Sequence, residues 1–302
     1  MRPDVVALRD ELLASIRAFF RARRYREVQT PVRVPAPALE EHIDAVPADS
    51  RFLRTSPELH MKRLLAAGHE RIVQIGPCFR RGESGPRHRP EFTMLEWYRV
   101  DADCADLIDE TRELLCAVAE AVLPSASCAF GGHCLDLSAP WRVLTVAEAF
   151  AEFANGVSVE AAVRGGEFER VLSDRIEPHL GTSAPTALTR YPAELAALAR
   201  LCPDDPRWAD RWELYLGGME IASAFSELTD PDEQRRRFLE TAENRRLADR
   251  PVYPLDEPFL QALACPGLPR CSGVALGVDR LLMVLAGTPR IQNVVPFADE
   301  IA

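Results

Sequence analysis

The sequence predicts an α+β protein, with a mixed, mainly antiparallel sheet flanked by helices. Three observations carry this. Strand-like runs come in hairpin-like groups separated by helical runs, without regular β-α alternation. Apolar residues recur at helical spacing over two long stretches, 4–24 and 106–123. No G-x-G-x-x-G occurs, which argues against a dinucleotide-binding fold.

Val5, Leu8, Leu12, Ile16 and Phe19 or Phe20 give the first helix its stripe, and Arg21, Arg23 and Arg24 fall in its last turn, where cations suit the helix dipole. Val28 to Val32 reads as a short extended segment and Arg51 to Thr55 as a strand. Ser56 then reads as an N-cap, with Pro57 at the first helical position and Glu58 in the first turn of a helix to about Ala67. Arg71 to Phe79 and Phe92 to Val100 read as two long strands joined by a charged loop, 81–90. The stretch 124–210 is less legible and reads as an insertion or spacer, with short helices near 145–153 and 192–200. A long β pattern covers Trp212 to Leu228, Asp230-Pro231 stops it, and a charged surface helix follows over 232–250. After a short helix near 259–264, Cys271 to Gly277 reads as a strand running into the helix Val278 to Leu285.

At 302 residues the chain allows one large domain or two small ones. Its net charge of −10 argues against sequence-independent nucleic-acid binding, which needs a basic face. Lys62 is the single lysine, so no P-loop exists and anion binding falls to arginines, whose guanidinium groups suit bidentate phosphate contacts. No apolar run is long enough to span a membrane and no signal peptide is visible, so a cytoplasmic protein is expected. The eight cysteines make no C-x-x-C and read as free thiols.

Three constellations carry chemistry. In the first, Arg80 ends one strand, a polar loop follows, and Phe92, Met94, Glu96 and Tyr98 share one face of the next strand. Glu96 and Tyr98 suit an ammonium group and Arg80 a phosphate, although a solvated charged hairpin reads the same way. In the second, Glu220 and Glu227 are seven apart and face opposite sides of an unbroken strand. A bulge near Ser223-Ala224 would bring both to one site, where two carboxylates beside phosphate suit Mg²⁺; two surface glutamates are the alternative. In the third, Gly273-Val274-Ala275-Leu276-Gly277-Val278-Asp279-Arg280 puts small residues at a strand-to-helix junction that a flat ligand can approach. Arg280 there can reach a terminal phosphate, with Asp279 placed to hold it.

In this order the three segments resemble motif 2, the acidic strand and motif 3 of class II aminoacyl-tRNA synthetases, and Gln29-Thr30-Pro31 after its helix resembles motif 1. Thr55-Ser56-Pro57-Glu58-Leu59, His88-x-Pro90-Glu91-Phe92-Thr93-Met94-Leu95-Glu96-Trp97-Tyr98 and Glu227-Leu228-Thr229-Asp230 are similar to the lysyl subgroup. With no anticodon-binding domain expected, the chain resembles the truncated lysyl-tRNA synthetase paralogues that attach lysine, preferably (R)-β-lysine, to a lysine of elongation factor P. The resemblance implies one class II catalytic domain over 1–302, a homodimer built on motif 1, and ATP with Mg²⁺. Lysine or β-lysine would be activated as an adenylate and passed to elongation factor P, with tRNA a disfavoured acceptor. Arg80 would hold the α-phosphate, Arg280 the γ-phosphate, and Glu220 would sit by ATP and the metal. Gly277 would lie under the adenosine, and Glu83 and Arg89 would add ATP contacts. Ser56, Glu58, Glu96 and Tyr98 would line the amino-acid pocket, Glu227 would face substrate or metal, and Ala275 would reshape the pocket floor. The sequence departs from the family at Arg80-Arg81-Gly82-Glu83, where Arg-x-Glu is common, at Arg89, where Asn is common, and at Ala222-Ser223-Ala224, where Ala-Asn-Gly is common. Left open are a related ligase acting on tRNA or another acceptor, and a non-enzymatic binding or regulatory descendant.

Overall fold

The computed structural model describes residues 3–298; Met1, Arg2 and the last four residues, part of the expected 1–302 span, lie outside the described residues. The chain opens with α1 (Pro3–Ala22), whose Leu12, Ile16 and Phe20 are buried as the stripe requires. Short strands follow: β1 (Arg26–Glu27), β2 (Arg33–Val34), β3 (Pro47–Ala48) and β4 (Arg51–Leu53). The expected extended segment 28–32 belongs to no strand, although the Val28 N–H donates to the Val73 carbonyl and the Val32 carbonyl accepts from the Arg54 N–H, and the short strands β1 and β2 flank it. Next come α2 (Glu58–Ala66), β5 (Arg71–Phe79), β6 (Glu91–Val100) and α3 (Cys104–Val122). α3 begins earlier than its apolar period because Asp103 forms a capping box with Asp106.

The middle of the chain holds β7 (Ser127–Phe130), β8 (His133–Asp136), β9 (Arg142–Thr145), α4 (Val146–Phe153), α5 (Val159–Arg164), α6 (Phe168–Val171) and β10 (Thr186–Pro192). The stretch read as a spacer therefore supplies two strands of the main sheet, and its expected helix at 192–200 is only a single turn, Ala193–Leu195. β11 (Trp208–Leu216) and β12 (Met219–Ser226) form a hairpin where one long strand was expected. Gly217 and Gly218 make the reversal at φ +57° and +71°, a primed turn that side chains resist. The chain then runs through α7 (Pro231–Leu247), capped by Asp230, α8 (Glu257–Ala262), β13 (Cys271–Gly277) and α9 (Val278–Leu285).

The main sheet has eight strands in the order β1-β5-β6-β13-β12-β11-β10-β9, parallel only at its two outer pairs. One face carries Val73, Leu95, Trp97, Val274, Leu276, Trp212 and Leu214 into a core with α1, α3 and α9. The pleat sends the alternate residues to the other face. Pairing across the ladder then writes two rows there. One runs Gln74, Glu96, Ala275, Ser223, Glu213, and the next runs Tyr98, Gly273, Phe225, Arg211. Among the described residues no helix is long and apolar enough to cross a membrane.

Candidate active site

A bulge decides which side Glu220 takes. Leu214 pairs with Ala222 and Tyr215 with Glu220, so Ile221 is the extra residue. Ile221 turns into the core, and Glu220 joins the face of Arg211 and Glu213. The expected bulge thus exists, two residues before Ser223-Ala224. It puts Glu220 and Glu227 on one face, each with a different cation: Glu220 meets Arg280 and Glu227 meets Lys62.

At the Glu220 end, Arg80, Glu83, Arg89, Gly277 and Arg280 line a cavity of about 120 Å³. Arg280 donates to the Glu220 carbonyl (2.9 Å) and carboxylate (3.1 Å) and contacts His88 Nε2 at 2.5 Å. Burial pushes the Glu220 carboxyl up, but the guanidinium groups of Arg280, Arg80 and Arg211 outweigh it and hold the group below the usual range. Arg80 lies over the Phe92 ring at 5.2 Å, stands 3.7 Å from Glu83, and keeps a buried Nε without a hydrogen-bond partner. Asp279 does not hold Arg280. It accepts from Arg9 (2.6 Å) and from the Thr93 N–H (2.7 Å), tying α1 to β6 and to the start of α9.

The other end is built of buried carboxylates. Lys62 Nζ is 2.6 Å from Glu58 and 2.5 Å from Glu227, with the lysine side chain fully buried. Burial lowers the affinity of this amine for its proton, and the two carboxylates more than restore it. Glu96 accepts from Ser56 Oγ (2.7 Å) and Tyr98 OH (3.0 Å). Burial, and then the charge of Glu58, push the Glu96 carboxyl up to about 7 against those two hydrogen bonds. Ser56 is not the N-cap, which is Pro57, yet its Oγ still accepts the Glu58 N–H at 2.9 Å. A Cβ on Gly273 would run into the Tyr98 ring and Glu227, so only glycine lets β13 pass here. Lys62 is the site residue that motif reading missed; the signal was its i,i+4 spacing from Glu58 on a helix.

The site thus has a guanidinium end suited to phosphate and a carboxylate end suited to ammonium groups, with Ala275 between Glu96 and Ser223 on the ladder. Among the described residues no group of three or more His, Cys, Asp or Glu could hold a metal ion. A magnesium ion held mainly by nucleotide phosphates needs only one or two carboxylates, and Glu220, kept ionised, fits that demand. Glu227, paired with Lys62, stands at the carboxylate end.

The sequence matches the family described as tRNA synthetases class II (D, K and N) over residues 3–300. The chain belongs to this family. Among its relatives, the elongation factor P--(R)-beta-lysine ligase of Proteus mirabilis is 40% identical over 307 residues, covering 95% of this chain and 92% of that protein. The ligase of the same name from Salmonella gallinarum is 41% identical, covering 96% of this chain and 93% of its own. That from Yersinia enterocolitica is 40% identical with the same coverage. Class II synthetase-like ligases use ATP, typically with Mg²⁺.

Proposed function

We propose that this protein is a ligase that activates lysine, preferably (R)-β-lysine, with ATP and transfers it to a lysine side chain of elongation factor P. The observation that carries this is the two-ended site on one sheet face, guanidinium groups at one end and buried carboxylates at the other. The names of the relatives supply the isomer and the acceptor. Arg80, with its free Nε, grips the α-phosphate and stabilises the charge that develops as the substrate carboxylate attacks. Arg280, steered by Glu220, binds the γ-phosphate, and Gly277 lets adenosine lie against the strand end. Glu83 and Arg89 line the same cavity and add ATP contacts. When bound, Mg²⁺ neutralises phosphate charge beside Glu220. Ser56, Glu58, Glu96, Tyr98 and Glu227 orient the two ammonium groups of the amino acid. Positioning supplies the rest of the rate, and no covalent nucleophile is required. The same reading implies a homodimer through α1 and Gln29-Thr30-Pro31.

Pyrophosphate exchange tests it. Lysine isomers should stimulate exchange, and KM for the amino acid should rise as pH falls below about 7, where Glu96 takes up its proton. Failure of every amino acid to support ATP-dependent exchange would rule out the ligase. Mixing with elongation factor P and tRNA in parallel, then weighing both, decides the acceptor; acylated tRNA beside unmodified protein would refute the assignment.

Ala275 bears on the isomer. Its methyl group projects on the active face between Glu96 and Ser223. Ala275→Gly should shift the ratio of kcat/KM toward α-lysine by about 10-fold, the scale of one methyl group in a pocket. An unchanged ratio removes Ala275 from specificity.

A further inference from the structure

On the sheet face that carries Arg211 a cleft of about 670 Å³ opens. Its walls are the loop Leu39–Ile43, the turn at Ala193–Leu198, Glu169, α7 and Arg211. Two of these walls come from the middle segment, to which the ATP and amino-acid ends assign no task. The arginines on the walls are engaged: Arg236 and Arg237 pair with Glu233, and Arg211 pairs with Glu213. The carboxylates of Glu40 and Glu169 have no hydrogen bond or ion pair among the described residues.

Glu40 is held in place from behind. The buried Arg245 of α7 donates to the carbonyl oxygens of Glu40 (2.7 Å), Glu41 (3.2 Å) and Ile43 (2.9 Å) and to the Asp44 carboxylate (2.6 Å). Arg250 holds the Glu41 and His42 carbonyls. The Asp44 carbonyl in turn accepts the Arg81 N–H at 2.7 Å, which locks the loop to the strand end that carries Arg80. The charges that act on Glu40 are those of Arg80, Glu58, Glu83 and Arg211, and Glu169, Glu233, Arg236 and Arg237 share the cleft walls with it. Glu40 therefore lines the cleft on a loop that is fastened to the strand end carrying Arg80.

We propose that this cleft admits the lysine-bearing segment of the acceptor protein, and that Glu40 receives the incoming ε-ammonium and takes its proton. The proposal rests on the function proposed above and concerns its second step. The ammonium gives one proton to the Glu40 carboxylate, and the neutral amine attacks the acyl carbon of the aminoacyl adenylate. The C–N bond forms, the C–O bond to phosphate breaks, AMP leaves with the electron pair, and the second proton passes to water in the cleft. Burial, with Glu58 and Glu83 adding to it and Arg80 and Arg211 opposing, pushes the Glu40 carboxyl up to about 7. That suits a group that takes and returns a proton near neutral pH.

The experiment compares Glu40→Gln with wild type in three assays: lysine-dependent pyrophosphate exchange, capture of the adenylate by hydroxylamine, and single-turnover transfer to elongation factor P. Hydroxylamine is neutral at pH 7 and small, so it needs neither the proton acceptor nor the cleft. Expected is a fall in transfer of about 100-fold, with exchange and hydroxamate formation within about threefold of wild type and partial recovery of transfer in Glu40→Asp. Undiminished transfer overturns the proposal. So does a parallel loss in all three assays from a folded variant, which would place Glu40 in the first step. Wild-type protein without lysine-dependent exchange fails the parent function as well, and that failure is visible before any variant is made.

Discussion

Arg80→Ala is expected to lower lysine-dependent pyrophosphate exchange by about 1000-fold while leaving thermal unfolding nearly unchanged. The reason lies in what Arg80 is not doing. Its guanidinium leans on the Phe92 ring, its distance to Glu83 is 3.7 Å, and its Nε is buried with no partner. A buried donor left unmatched by the fold costs free energy unless a ligand satisfies it. The fold therefore loses little when Arg80 is truncated, and under the proposed function the phosphate loses its main clamp. Arg280 makes the contrast, because its donors are spent on Glu220 and His88. Exchange above about a tenth of wild type in Arg80→Ala would remove Arg80 from the chemistry.

Lys62→Met should have the largest effect on stability, a loss of about 3–5 kcal/mol. The substitution keeps the volume of the side chain and removes the one cation between two buried carboxylates. Glu58 and Glu227 would then face each other without compensation in a dry site. The double variant Lys62→Met, Glu227→Gln should recover a good part of the loss, since it removes one of the two stranded charges. Denaturant unfolding of the single and double variants measures both quantities. A cost below about 1 kcal/mol for the single variant would mean that water reaches the pair and that it acts as a surface ion pair.

The parts of the fold that were legible in the sequence are those with a clean period. Arg71–Phe79, Cys271–Gly277 and Val278–Leu285 have the predicted limits, because one buried face against a helical core imposes alternation on the strands and a stripe on the helix. The middle segment defeated the same reading. Thr186–Pro192 is buried at nearly every position, with its neighbours and α4 covering both sides, so it has no alternation to show. The β11–β12 hairpin was hidden because its turn is only two glycines inside an otherwise continuous β pattern. At the candidate site, Glu96 and Tyr98 were legible from the strand period, and Arg80 and Arg280 from the strand end and the strand-to-helix junction on which each sits. Lys62 with Glu227, and Asp279 with Arg9, were not, since each pair joins elements far apart in the chain. Glu40 lay in a Pro- and Ala-rich stretch with no period, and its position depends on Arg245, about two hundred residues later.

The bulge at Ile221 makes the active face a matter of counting. Strand parity is a two-valued code, and the one supernumerary residue inverts it for everything between Ile221 and the turn. Flattening the bulge at unchanged chain length would send Glu220 toward the helix-packed side and turn Ile221 onto the face of Glu213. Deleting Ile221 outright would leave Glu220 opposite Tyr215 on its present face, because alternation from Ala222 then reaches Glu220 directly. The face of Glu220 is therefore set by its pairing with Tyr215, whether the chain reaches it with the extra residue or without.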